Sequence, residues 1–145
     1  MTNRLFSERP TGVTAIACLF AFGVLASGLA LVTLAAPGGA FDAIWRINPR
    51  GHDSFLRMGA WAYPLLGTVC LACAATAFGM MTRKKWGYRA AIVMLIVNLA
   101  GNLLNVLTGN EPRAAIGVPI VALILWYLST PGARTHFFRP SSSAR

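Results

Sequence analysis

From Gly12 to Ala36 the chain reads GVTAIACLFAFGVLASGLALVTLAA, and no charged side chain interrupts it. A helix rises about 1.5 Å per residue, so this run is long enough to cross a hydrocarbon core about 30 Å thick. The uncharged stretch extends outward from Pro10 to Phe41, and three more follow at Met58 to Thr82, Ala90 to Asn110 and Ala114 to Ala133. Each meets the length that a crossing requires. Backbone groups in hydrocarbon must find partners inside the protein, and a helix supplies them within one segment. The expected fold class is all-α: a polytopic membrane protein, folded as a four-transmembrane-helix bundle with spans at 12–36, 60–81, 90–109 and 114–130.

Composition agrees with this reading. Of 145 residues, 56% are hydrophobic and 12% charged, whereas soluble domains carry about 25% charged residues. The short connections leave room for a single four-helix domain over 1–140, followed by a disordered tail at 141–145. The net charge of +9 does not point to nucleic acid, because the basic residues flank apolar runs instead of lining a groove. Arg4, Arg9, Arg83, Lys84, Lys85, Arg89, Arg134, Arg139 and Arg145 fall on the termini and the middle loop. Only Arg46, Arg50, Arg57 and Arg113 fall on the first and third loops, joined there by Asp42, Asp53 and Glu111. Because positive charge is retained on the cytoplasmic side, both termini are expected inside. A cleaved signal peptide is the rival reading of the first run. That run exceeds the roughly 7–15 residues of a signal core and has Pro37 after Ala36, so a retained helix is expected.

Small residues recur on two spans, as Gly23, Ser27 and Ala30 on the first and as Pro64, Thr68, Ala72, Ala75 and Gly79 on the second. Such seams let helix backbones approach closely. Between those spans, AFDAIWRINPRGHDSFLR (Ala40 to Arg57) suits a short interfacial segment, broken into two pieces at Asn48-Pro49 and Gly51. Arg46, Arg50, His52 and Arg57 are candidates for contact with an anion or lipid headgroup, since guanidinium groups match such oxygens in pairs. The plainer reading is a solvated loop resting on headgroups. In the middle loop, Thr82 to Arg89, Trp86 and Tyr88 are expected as interfacial anchors and the basic residues as an attraction for anionic lipids.

The third span carries Asn98, Asn102 and Asn105, within about 60° of arc on a helix of 3.6 residues per turn. Amides facing acyl chains lack partners, so this face is expected to turn into the bundle, either as glue between helices or as the lining of a polar pocket. Pro64 and Pro119 are read as structural features near helix ends. Pro131-Gly132 is expected to end the fourth helix, with a disordered tail from Arg134.

Several chemistries fail against this inventory. His52 and His136 are expected on opposite membrane faces, so no axial haem pair forms. No span contains an acid, a histidine or a basic residue of the kind that coupled transporters use. Cys70 and Cys73 have CxxC spacing, but hydrocarbon disfavours the reactive thiolate, and with Cys18 the count is odd. No cofactor, metal ligand set or catalytic residue is assigned.

The stretches Arg9-Pro10-Thr11-Gly12-Val13-Thr14, Trp45-Arg46-Ile47-Asn48-Pro49-Arg50, Lys85-Trp86-Gly87-Tyr88-Arg89 and Ile116-Gly117-Val118-Pro119-Ile120 together resemble a group of small, uncharacterised bacterial four-span membrane proteins. The resemblance implies a multi-pass protein of the bacterial inner (plasma) membrane and transfers no substrate, cofactor or catalytic residue. The leading expectation is a non-enzymatic bundle acting through lipid or helix contacts, with a membrane partner protein or a second copy. The alternatives are a small-solute carrier or channel using the asparagine face, and a lipid-headgroup enzyme using His52 and Asp53 beside Arg46, Arg50 and Arg57.

Overall fold

The computed structural model describes residues 11–108 and 114–138, and these are helical with no strand among them. In chain order they form α1 (Thr11–Ala35), a 3₁₀ segment (Ala40–Arg46), α2 (Pro49–Met58), a 3₁₀ turn (Gly59–Trp61), α3 (Ala62–Met81), α4 (Lys85–Leu107), α5 (Ala114–Ser129) and α6 (Pro131–Phe138). Three runs are long and apolar enough to cross a membrane: Thr11–Ala35, Pro49–Met81 and Lys85–Leu107. A fourth exists if α5 and α6, bent by 59°, count as one. The expected tail at 141–145, together with Arg4, Arg9, Glu111, Arg113, Arg139 and Arg145, lies outside the described residues.

The chain divides into two compact units, one of Met1–Cys18 with Thr76–Arg145 and the other of Leu19–Ala75. In the second unit α1 and α3 run antiparallel. Gly23 faces the Cys73 sulfur, Gly28 faces that of Cys70, the Cys70 thiol donates to the Val24 carbonyl at 3.7 Å, and the Tyr63 hydroxyl donates to the Leu34 carbonyl at 3.1 Å. A methyl added at Gly23 would meet Cys73 Sγ at 3.0 Å, so the glycine forms a notch that the thiol occupies. Cys70 and Cys73 thus serve helix packing, and Cys18, Cys70 and Cys73 are all free thiols. The expected seam on α1 holds, with Ser27 and Ala30 buried. Ser27 and Thr33 donate to carbonyls one turn back, at 2.7 Å (Gly23) and 2.9 Å (Leu29), so their burial leaves no donor unmet.

The expected seam on α3 is corrected. Of that set Pro64, Thr68 and Ala75 are exposed, Ala72 is half-buried and Gly79 is buried, while most of the buried stripe is Ala62, Leu66, Cys73, Thr76, Ala77 and Met80. Small residues occur on both sides of this helix, so their spacing alone does not choose a face. The bulkier Leu66, Cys73 and Met80 lie together on the buried one.

The Thr76–Arg145 part is organised by the α3–α4 hairpin. At its turn Lys84 N–H donates to the Gly79 carbonyl at 2.9 Å and Arg83 N–H to the Met80 carbonyl at 3.2 Å. With Arg83 left-handed at φ 56°, this is the paired capping pattern that satisfies the last carbonyls of a helix. The turn is so tight that Gly79 and Gly87 meet backbone to backbone. The middle loop is therefore shorter than expected: Lys85 to Arg89 already belong to α4. Tyr88 is also corrected, being a buried strut and no surface anchor. Its hydroxyl donates to the Leu128 carbonyl at 2.8 Å, and its ring packs on Phe137 at 5.2 Å and edge-on to Phe138 at 5.6 Å.

Those contacts correct the expected disorder from Arg134 as far as Phe138, where the described residues end. The helical run breaks at Thr130, and the fixed φ and missing N–H of Pro131 suit a first helical position. α6 starts there and buries Ala133 and Phe137, while Lys85 Nζ lies 5.6 Å above the Phe138 ring. Gly12, at the start of α1, packs on the Tyr127 ring near the end of α5. Within this unit, the start of α1, the α3–α4 turn and α6 therefore share one end.

Candidate functional site

Two regions carry polar groups in an otherwise apolar chain. The first is α2 with the 3₁₀ segment before it. Asn48 caps α2 by accepting the Gly51 N–H at 2.9 Å, and Pro49 takes the first helical position. Gly51 lies inside the helix and does not break it. Gly38 N–H donates to the Asp42 carboxylate, which ties down the start of the segment. The run ends at Gly59, whose φ of 56° and ψ of −130° suit only a residue without Cβ.

Helical spacing sets Arg50, Asp53, Ser54 and Arg57 on one side of α2, within about 100° of arc, and His52, Phe55 and Leu56 on the other. The His52 ring stacks on Trp45 at 4.6 Å and 17°, and Phe55 lies 6.2 Å from the same indole. The four candidate anion contacts thus do not converge. Arg50 and Arg57 share the polar side, Arg46 is exposed on the preceding segment, and His52 is held half-buried in an aromatic stack. His52 and Asp53 project about 100° apart, so they offer no common point for acid–base chemistry.

The second region is the amide face of α4. The buried stripe of this helix is Tyr88, Ala91 and Leu95, continued by half-buried Leu99, Asn102 and Val106. Asn102 lies on that stripe against α5. A methyl on Gly117 would meet Asn102 Nδ2 at 2.7 Å, so glycine is the residue that makes room for the amide. Asn102 Nδ2 donates to Asn98 Oδ1 at 2.9 Å, one turn earlier on the same helix. Asn98 and Asn105 are exposed at the edge of the α4–α5 seam.

The expectation that all three amides turn inward is therefore corrected: one does, and two do not. The physical reason is angular. The three span about 60° of arc, and the buried stripe of α4 is centred on the Asn102 side of that arc. Of the apolar window in α4 only 11% is buried, against 28% in α1 and 33% in Pro49–Met81, so of these three spans it has the least partner surface within its own chain.

No group of three or more His, Cys, Asp or Glu is arranged to hold a metal ion among the described residues. Sequence reasoning missed Gly117 as the cradle of Asn102 and Gly79–Gly87 as the hairpin contact. A glycine in an apolar helix signals close approach without naming its neighbour. No protein-family model, curated protein or solved structure matches this chain.

Proposed function

We propose that this chain is a non-enzymatic integral membrane protein of the cell inner (plasma) membrane, a four-span bundle that works through helix–helix and lipid contacts. The observation that carries the reading is the exposure of large apolar side chains along the helices, such as Phe22 at 67%, Leu71 at 73%, Val97 at 65% and Leu123 at 63%. A row of this kind on every long helix has hydrocarbon as its natural solvent, whereas water-soluble monomers rarely expose contiguous apolar surface beyond a few hundred Å².

The two-sided α2 is suited to lie at the outer interface, with Arg50 and Arg57 toward headgroups and Phe55 and Leu56 toward acyl chains. Exposed Arg83, Lys84, Lys85, Arg89 and Arg134, all from the unit in which the start of α1, the α3–α4 turn and α6 share one end, favour anionic headgroups on the cytoplasmic side. The carrier or channel reading has less support, since Asn98 and Asn105 lie outside the α4–α5 pair.

Reconstituted vesicles test the choice. The chain is expected to stay with lipid after alkaline carbonate extraction, and the vesicles to show no small-solute flux above protein-free controls. Flux that disappears in an Asn102→Leu variant would move the assignment to the carrier. Release by carbonate would remove the membrane reading altogether.

A further inference from the structure

Resting on the membrane reading above, we propose that the edge of α4 formed by Asn98, Gly101 and Asn105 is the surface through which two copies of this chain pair. The three positions follow each other at steps of three and four, the spacing of a helix–helix seam, and lie within about 60° of arc. A carboxamide offers two N–H donors and a carbonyl acceptor. Within the chain the Asn98 oxygen accepts from Asn102, while the Asn98 N–H groups and the whole Asn105 amide have no hydrogen-bond partner among the described residues. In hydrocarbon those groups are costly unless another protein surface meets them.

The chemistry of the edge selects the occupant. From Ala90 to Thr108 the helix has no charged residue, so the partner surface must be neutral and must donate and accept together. A carboxamide does both, so an identical edge related by a two-fold axis completes the set without a third component. Gly101 sits between the two amides, and a methyl built there meets nothing within 4 Å, leaving the backbone open to close approach by a second helix. Ile96 and Leu103, also exposed, lie on the side of α4 turned away from this edge and give it a lipid-facing flank.

The test uses the full chain in phosphatidylethanolamine–phosphatidylglycerol vesicles. Energy transfer between donor- and acceptor-labelled wild-type copies is expected to rise as lipid is withdrawn. The double variant Asn98→Leu/Asn105→Leu should weaken that association by about tenfold or more, since each interhelical amide bond contributes a fraction of a decade to a decade in the association constant. Oxidation should yield a dimer-sized band from Asn105→Cys and none from Ile96→Cys beyond the wild-type background of native thiols.

Wild-type copies that transfer no energy at any density overturn the pairing, as do equal cross-linking at both positions or a cross-linked product of another mass in native membranes. Carbonate extraction of the same vesicles separates the two ideas. A retained but monomeric chain refutes only the pairing, and a released chain refutes the membrane reading and the pairing together.

Discussion

Replacing Gly87 with alanine is expected to cost about 3 kcal/mol, the upper end for overpacking, and to open the α3–α4 hairpin. The added methyl would stand 2.3 Å from the carbonyl carbon of Gly79, 2.5 Å from its Cα and 2.7 Å from its oxygen. All three are backbone atoms, so no side chain can swing aside. The reciprocal methyl on Gly79 would stand 2.6 Å from Gly87 Cα and 2.9 Å from the Trp86 ring. Relief requires the helices to separate, which pulls against the two capping hydrogen bonds at Arg83 and Lys84. Unfolding in mixed micelles, followed by tryptophan fluorescence, measures the loss. Gly67→Ala is the matched control, because a methyl there meets nothing within 4 Å. It should be neutral, or stabilising by about 0.5–1 kcal/mol through helix propensity.

Truncating Tyr88 to alanine is expected to destabilise the chain by about 3–5 kcal/mol, the range for removing a buried aromatic ring. One side chain here joins three helices. The ring, 6% exposed, packs on Phe137 and Phe138 of α6, and the hydroxyl caps the Leu128 carbonyl near the end of α5. Tyr88→Phe separates these contributions. It keeps the ring and leaves a buried carbonyl without that donor, so about 1–3 kcal/mol of the loss should remain. The same micelle titration gives both values, and protease cleavage after Arg134 should accelerate in the alanine variant as α6 comes loose.

The uncharged runs make the long helices legible from the amino-acid order alone. Loss of every charge over such a length leaves few alternatives, and α1, α3, α4 and α5 lie where those runs lie. The two short pieces between α1 and α3 are also readable, because Asn48-Pro49 is a cap followed by a first helical residue. The seam on α1 follows from the i, i+4, i+7 spacing of Gly23, Ser27 and Ala30, although Ala15, Ala21 and Ala26 on the same helix are exposed. On α3 the expected set keeps only Gly79 buried, at the turn, and the rest of the helix buries the face carrying Leu66, Cys73 and Met80.

What stays hidden depends on distant partners. Lys85 to Arg89 read as a loop because of the charged Lys85 and Arg89 and the glycine Gly87, but this first turn of α4 is held by the Gly79–Gly87 contact and the Tyr88 bond to Leu128, neither visible locally. α6 escapes for the same reason, since Phe137 gains its order from Tyr88. The asparagine face is recognisable as a polar stripe, yet its orientation is set by the stripe α4 buries against α5. A pattern 60° wide does not say which of its edges points inward. The expected anion contacts are split on a similar point: the His52 ring stacks on Trp45, on the side of α2 away from Arg50 and Arg57.

The proposed membrane topology requires α2 and the α3–α4 turn to lie on opposite sides of a bilayer. Labelling with a membrane-impermeant maleimide in intact cells tests it, using Asp53→Cys on α2 and Lys84→Cys at the turn, with the wild-type chain as background. Both positions are exposed, so reagent access depends only on the side each occupies. The expected result is labelling at position 53 in intact cells and at position 84 only after permeabilisation. Equal labelling of both in intact cells would contradict it.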